Sequence, residues 1–150
     1  SFLRNCAARN DVVLGDARLS LEREPPQNFD FLALDAFSGD SIPVHLLTAE
    51  AFQTYFRHLK PGGVLAVHTS NIYLNLAQVV AAACEPMGKV VRAYTSAPDD
   101  SRQTQLAQWV IVADDASVFE KGELKSAERP DRRIGRWTDQ SSNLLSVLRW

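Results

Sequence analysis

Residues 29–68 constrain the fold more than any other part of the chain. Phe31, Leu32, Ala33 and Leu34 form a continuous apolar run that stops at Asp35. Such a run predicts a strand over 29–35, covered on both faces as in a parallel sheet. A loosened segment, Ser38-Gly39-Asp40, and a loop to position 47 that includes Pro43 come next. Thr48 then stands as an N-cap with Glu50 in the first turn, where the helix dipole favours negative charge. Phe52, Tyr55, Phe56 and Leu59 fall on one stripe of an amphipathic helix, and Arg57, His58 and Lys60 gather at its end. Pro61-Gly62-Gly63 stops the helix before a second apolar run, Val64 to His68. Strand, helix and strand in this order predict a right-handed crossover and a parallel pair.

The flanking segments extend the scheme. Residues 1–10 read as a helix end or loop. Asp11 to Asp16 is a β-branched run with a polar exit, hence a strand, and Ala17 to Glu24 suits a short helix closed by Pro25-Pro26. Asn71 or Asn75 caps a later helix with Leu76, Val79, Val80, Ala83 and Met87 as its apolar positions, and Gly88 ends it. Lys89–Tyr94 and Gln108–Ala113 are the last predicted strands. The polar loop between them, Thr95 to Ala107, carries no helical stripe, so they pair antiparallel. Residues 117–136 form an irregular surface excursion with at most one short helix. The ending, with Trp137, Leu144, Leu145, Val147 and Leu148, docks on the body. One domain over 1–150 is expected, an α/β Rossmann-like sheet, mostly parallel with a terminal antiparallel pair.

Bulk properties narrow the function classes. A chain of 150 residues can bury about two-thirds of its unfolded surface as one domain. With 45% hydrophobic and 23% charged residues it has an ordinary globular composition. A net charge of −2 gives no electrostatic reason to bind nucleic acid or an anionic membrane. No apolar run nears the roughly 20 residues that span a bilayer. Ser1 to Cys6 lacks the basic start and apolar core of a secretory leader. Cys6 and Cys84 have no metal-ligand spacing and are expected to be reduced, in a cytoplasmic setting.

The residues that could carry chemistry are few. Asp16 and Asp35 stand at the exits of two predicted strands. Ligands of open α/β sheets bind beyond the carboxyl ends of the strands. A carboxylate there can accept hydrogen bonds from an adenine amino group or an amine, or remove an amine proton as a general base. Either acid could equally cap the turn that follows it. His45, His58 and His68 lack metal-ligand spacing, so no metal is expected. His58 is expected to face solvent at a helix end, and His68 either lines the crevice or packs. Gly62-Gly63 follows a helix and precedes a strand, the wrong order for a phosphate loop. Arg102, Gln103 and Gln105 lie on a loop that could act as a lid but more simply stays solvated, and Trp109 is assigned to the core.

Four segments in order carry a family resemblance: Val13-Leu14-Gly15-Asp16-Ala17-Arg18, Phe29 to Asp35, Leu46-Leu47-Thr48-Ala49-Glu50-Ala51-Phe52, and Leu59-Lys60-Pro61-Gly62-Gly63-Val64-Leu65. They cover residues 11–70, and Gln108-Trp109 matches a further Gly-x-Trp segment in part. The chain resembles the spermidine synthases (polyamine aminopropyltransferases), and more closely the bacterial spermidine-synthase-like proteins often fused to membrane segments. The resemblance implies the class I S-adenosylmethionine-dependent methyltransferase fold. It implies transfer of an aminopropyl group from decarboxylated S-adenosylmethionine to a small-molecule amine, with Asp35 as the base. Asp16 would hold the adenine end, with Gly15, Asp35 and Ala36 lining the nucleoside, and Ser38 and Asp40 the amine. In the family a second acid follows the first by three positions, where this chain has Ser38, with Asp40 as a substitute two residues on. The family's Gly-rich loop and ribose-binding acid precede the first matched segment. The chain is therefore expected to be an N-terminally incomplete part of the fold, inactive and binding the co-substrate weakly by itself, with an open sheet edge that pairs two copies. A methyltransferase using intact S-adenosylmethionine, and a non-catalytic assembly module that keeps the fold, are the alternative functions.

Overall fold

The computed structural model describes residues 7–8, 10–35, 43–71, 73–98, 100–102, 105–131 and 134–148. Its regular elements are α1 (Ala17–Arg23), β1 (Phe29–Leu34), α2 (Ala49–His58), β2 (Leu59–His68), α3 (Leu76–Cys84), β3 (Val90–Ser96) and β4 (Ala107–Ala113). The strands form one sheet in the order β1-β2-β4-β3. β1 and β2 are parallel, joined by the crossover through α2, whereas β4 runs antiparallel to both of its neighbours. Three strands thus point one way and β4, inserted between β2 and β3, the other, so the sheet is mixed: β3 and β4 form the predicted antiparallel pair, but only the β1–β2 pairing is parallel.

Local chemistry explains the helices. The Thr48 hydroxyl accepts from the Ala51 N–H at 3.3 Å, as an N-cap should, and Glu50 lies in the first turn. The stripe buries Phe52 and Tyr55 completely, edge to face at 5.7 Å between ring centroids. α3 carries eight buried residues in nine, so it lies inside the domain rather than along its surface. Strand alternation divides the sheet residues between two faces. Leu65, Val67, Val110 and Val112 meet α2 and α3 in the main core, whereas Ala66, Ile111 and Ala113 face the other way.

That second face is covered by residues 116–126. They form two 3₁₀ turns, Ala116–Glu120 and Gly122–Ser126, which bring Phe119, Val118 and Leu124 onto the sheet. The first half of the stretch predicted as an irregular excursion is therefore a lid of the second core, built from two 3₁₀ turns rather than one short helix. The C-terminal segment docks as predicted. Trp137 and Val147 are buried, the Ala49 N–H donates to the Trp137 carbonyl at 2.9 Å, and the Asn75 N–H to the Val147 carbonyl at 2.8 Å. Leu145 stays exposed.

Several expectations are corrected. Residues 11–16 form no strand, and Val12, Val13 and Leu14 are exposed. A strand exists through its ladder, and among the described residues no ladder reaches this segment. β1 is not covered on both faces; among the described residues it is one of the two edge strands, and Phe31 is 57% exposed. His58 does not face solvent. It is fully buried, its Nε2–H donates to the Leu21 carbonyl at 2.8 Å, and it stacks on Phe29, so it ties α1 to the end of α2. β2 begins at Leu59 directly after the helix, so Pro61-Gly62-Gly63 belongs to a bulged strand start.

Gly63 is required by that bulge. A Cβ there would stand 2.9 Å from the carbonyl oxygens of both Lys60 and Phe29, and neither backbone group can move cheaply. Gly63→Ala is expected to lower the unfolding free energy by about 1–3 kcal/mol, the usual cost of overpacking, measured by urea denaturation.

Candidate functional site

The register of the sheet assembles the site. Leu34 pairs with Val67 across the parallel strands, so the next residues, Asp35 and His68, leave the sheet side by side. His68 in turn pairs with Trp109 across the antiparallel ladder. His68 Nδ1 lies 2.8 Å from Asp35 Oδ1, and the imidazole stacks on the Trp109 indole at 4.9 Å with 27° between planes. His68 Nε2 lies 2.7 Å from Ser70 Oγ, which accepts from the Gln108 N–H at 2.8 Å. The Thr69 N–H donates to the Gln108 carbonyl at 2.8 Å, fixing the turn that places Ser70. The carboxylate is well exposed, at 58% of its side chain, while the ring beneath it is largely covered, at 24%.

Among the described residues nothing but His68 holds Asp35, so Oδ2 keeps its lone pairs for a ligand. An exposed acid with one oxygen fixed and one open, at the exit of a parallel strand, is placed to receive a proton or bind a cation.

Asp16 stands in a second cluster. Its Oδ1 caps α1 by accepting from the Leu19 N–H at 2.9 Å, and its Oδ2 lies 2.7 Å from His45 Nε2. The Leu19 N–H and then His45 hold its carboxyl below the usual carboxylate range. The capping role weighed for Asp16 is therefore real. Each oxygen still has a further lone pair beside its existing partner. Beside it Arg18 makes a bidentate pair with Asp139 at 2.7 and 2.6 Å, bonds Glu22 at 2.7 Å, and donates to the His45 carbonyl at 2.7 Å. The Thr48 hydroxyl donates to Asp139 Oδ1 at 2.7 Å, so this knot joins α1, the cap of α2 and the C-terminal segment.

Arg18 holds the Asp139 carboxyl down at about 2, against an ordinary 3.8. A folded value below the unfolded one stabilises the protein fully above about pH 4, and this contribution is lost as pH falls toward 2. Asp139→Asn is expected to flatten this acid limb, read from thermal melts between pH 6 and 2.

No described hydrogen bond joins the Asp16 and Asp35 clusters. Gly15 is exposed beside the first of them. Ala36, Ser38 and Asp40, assigned to nucleoside and amine, lie outside the described residues, as do Gln103 and the Arg102 side chain. Trp109 is half-buried: it packs against the second core, as assigned, and also stacks on His68. Sequence reasoning left His68 undecided and passed over Ser70. The available signal was the end-to-end match of two apolar runs, each closing on a polar residue. Among the described residues no cluster of three or more His, Cys, Asp or Glu is placed to hold a metal. Also among them, no helix is long and apolar enough to cross a membrane.

No family model matches the chain. Over 60 residues, 39% of its length, it is 42% identical to a protein named polyamine aminopropyltransferase from Vibrio vulnificus (strain CMCP6). The match covers 20% of that relative, so this chain spans only a small part of its length. In structure the chain is similar to a probable spermidine synthase from Corynebacterium glutamicum ATCC 13032, with a TM-score of 0.57 and 19% identity over 88% of this chain and 55% of that one. It is also similar to MNMC2 from Aquifex aeolicus, with a TM-score of 0.52 and 16% identity over 77% and 36%. At these identities the structural likeness speaks for the fold alone.

Proposed function

Because this chain is spermidine synthase-like in its matched segment and in its fold, we propose that it carries the amine-side chemistry of an aminopropyl transfer. The donor is decarboxylated S-adenosylmethionine and the acceptor a small-molecule amine. The amine nitrogen attacks the methylene carbon beside the sulfonium. The C–N bond forms, the C–S bond breaks, and its electron pair returns to sulfur as a neutral thioether. The N–H proton passes to Asp35 Oδ2. Asp16 and Gly15 would hold the nucleoside end, with Ala36 beside them and Ser38 and Asp40 toward the amine.

One observation supports this reading above the others. Asp35 leaves a parallel strand with Oδ1 fixed by His68 and, among the described residues, Oδ2 open, the arrangement a general base needs. A general base suits an amine nucleophile, which must lose a proton as it is alkylated.

The test is release of methylthioadenosine from decarboxylated S-adenosylmethionine in the presence of putrescine. It is run on the chain and on the complete polypeptide its gene encodes. Transfer dependent on both substrates supports the proposal. Absence of transfer from both preparations overturns it, and consumption of intact S-adenosylmethionine instead would favour a methyltransferase.

A further inference from the structure

The hydrogen bonds around His68 have a polarity that can be worked out from one end. The Gln108 backbone N–H can only donate, so Ser70 Oγ is an acceptor in that contact. Its single proton is then free to point at His68 Nε2, 2.7 Å away. At the other end the exposed Asp35 carboxylate can only accept when ionised, so Nδ1 carries the ring proton toward Oδ1. A neutral ring with Nδ1–H and an accepting Nε2 satisfies all three contacts at once. The opposite tautomer would leave Nδ1 and Asp35 Oδ1 facing each other as two acceptors at 2.8 Å.

The ring plane is fixed as well. Trp109 stacks on it, and the ladder pairing of His68 with Trp109 sets that stacking. The ring is thus held in rotation by an indole and in tautomer from both sides, by the Asp35 carboxylate at Nδ1 and by a hydroxyl at Nε2 whose proton the Gln108 amide leaves free to donate. Such restraints are how an imidazole is made to point one N–H in one direction.

We propose that His68 is the positioning residue for Asp35, and that Ser70, backed by the Gln108 amide, sets the tautomer that lets it do so. His68 Nδ1–H orients the carboxylate through Oδ1 and leaves Oδ2 without a partner among the described residues, toward the incoming nitrogen. The catalytic consequence rests on the aminopropyl-transfer reading, whereas the tautomer does not. A base displaced by about 1 Å can lose about 10²-fold in rate, which sets the expected size of the effect.

Two measurements test the proposal. The first needs no activity: ¹⁵N NMR of the histidines in the full 150-residue chain, at a pH where the ring is neutral. His68 is expected to show a protonated Nδ1 and an unprotonated Nε2, with Ser70→Ala shifting the balance toward Nε2–H. A wild-type ring protonated on Nε2 overturns the proposal. The second compares two variants in the transfer assay. His68→Asn carries an N–H on the same Cγ branch and is expected to keep activity within about tenfold. His68→Phe keeps the stacking but no donor, and is expected to lose about 10²-fold in kcat with KM little changed. Equal activity of the Phe variant and wild type also overturns it. Should the wild type show no transfer at all, the functional reading fails, and the NMR result alone decides the positioning claim.

Discussion

Asp35→Asn is expected to lower the aminopropyl transfer rate by about 10²–10⁴-fold, the usual contribution of a positioned general base. The variant isolates basicity from shape. Asn keeps an acceptor oxygen for the His68 Nδ1–H and the same volume, but its amide cannot take a proton. Asp35 is exposed and bonds only His68 among the described residues. Its replacement is therefore expected to shift stability by no more than about 0.5 kcal/mol. The prediction needs both readouts: methylthioadenosine release must fall while the urea midpoint stays. A variant that transfers at the wild-type rate would remove Asp35 from the mechanism. One that unfolds would show that the acid is structural, against the geometry.

What could be read from the sequence divides by the range of the interactions. Thr48, Phe52 and Tyr55 were legible because a cap and a helical stripe are contained within one turn or two. The antiparallel pairing of β3 and β4 followed from the length of the loop between them. Val12 to Leu14 misled because β-branched residues state a preference, whereas a strand needs a partner in the ladder. His58 misled for the opposite reason. Its place at a cationic helix end suggested solvent, but the Leu21 carbonyl and Phe29 ring arrive from outside the helix and bury it. The site shows the same division. Asp35 was visible as the acid at a strand exit. Its contact with His68 needed the β1–β2 register, and the stacking of His68 on Trp109 needed the β2–β4 register as well. Ser70 depends on a turn locked by Gln108, for which no local pattern exists.

Trp137→Ala is expected to have the largest effect on stability, about 3–5 kcal/mol, within the range for buried aromatic truncation. Trp137 is among the largest fully buried side chains and belongs to the main core. Its carbonyl also accepts the Ala49 N–H in the first turn of α2. Two residues later Asp139 holds Arg18 and the Thr48 hydroxyl, so the ring anchors a segment that reaches α1 and the cap of α2. The indole Nε1–H, however, is buried without a partner among the described residues. An unmet buried donor costs about 1–3 kcal/mol, so part of what the ring contributes is offset by its own nitrogen. Trp137→Phe keeps most of the apolar area and discards that donor, and is expected to lie much closer to wild type than the Ala variant. If the ring acts by anchoring, Asp139→Asn should cost less in the Ala background than alone, because the segment is already loosened. The double-mutant cycle in urea reads this coupling directly. Strict additivity would mean that the indole and the Arg18 knot hold the C-terminal segment independently.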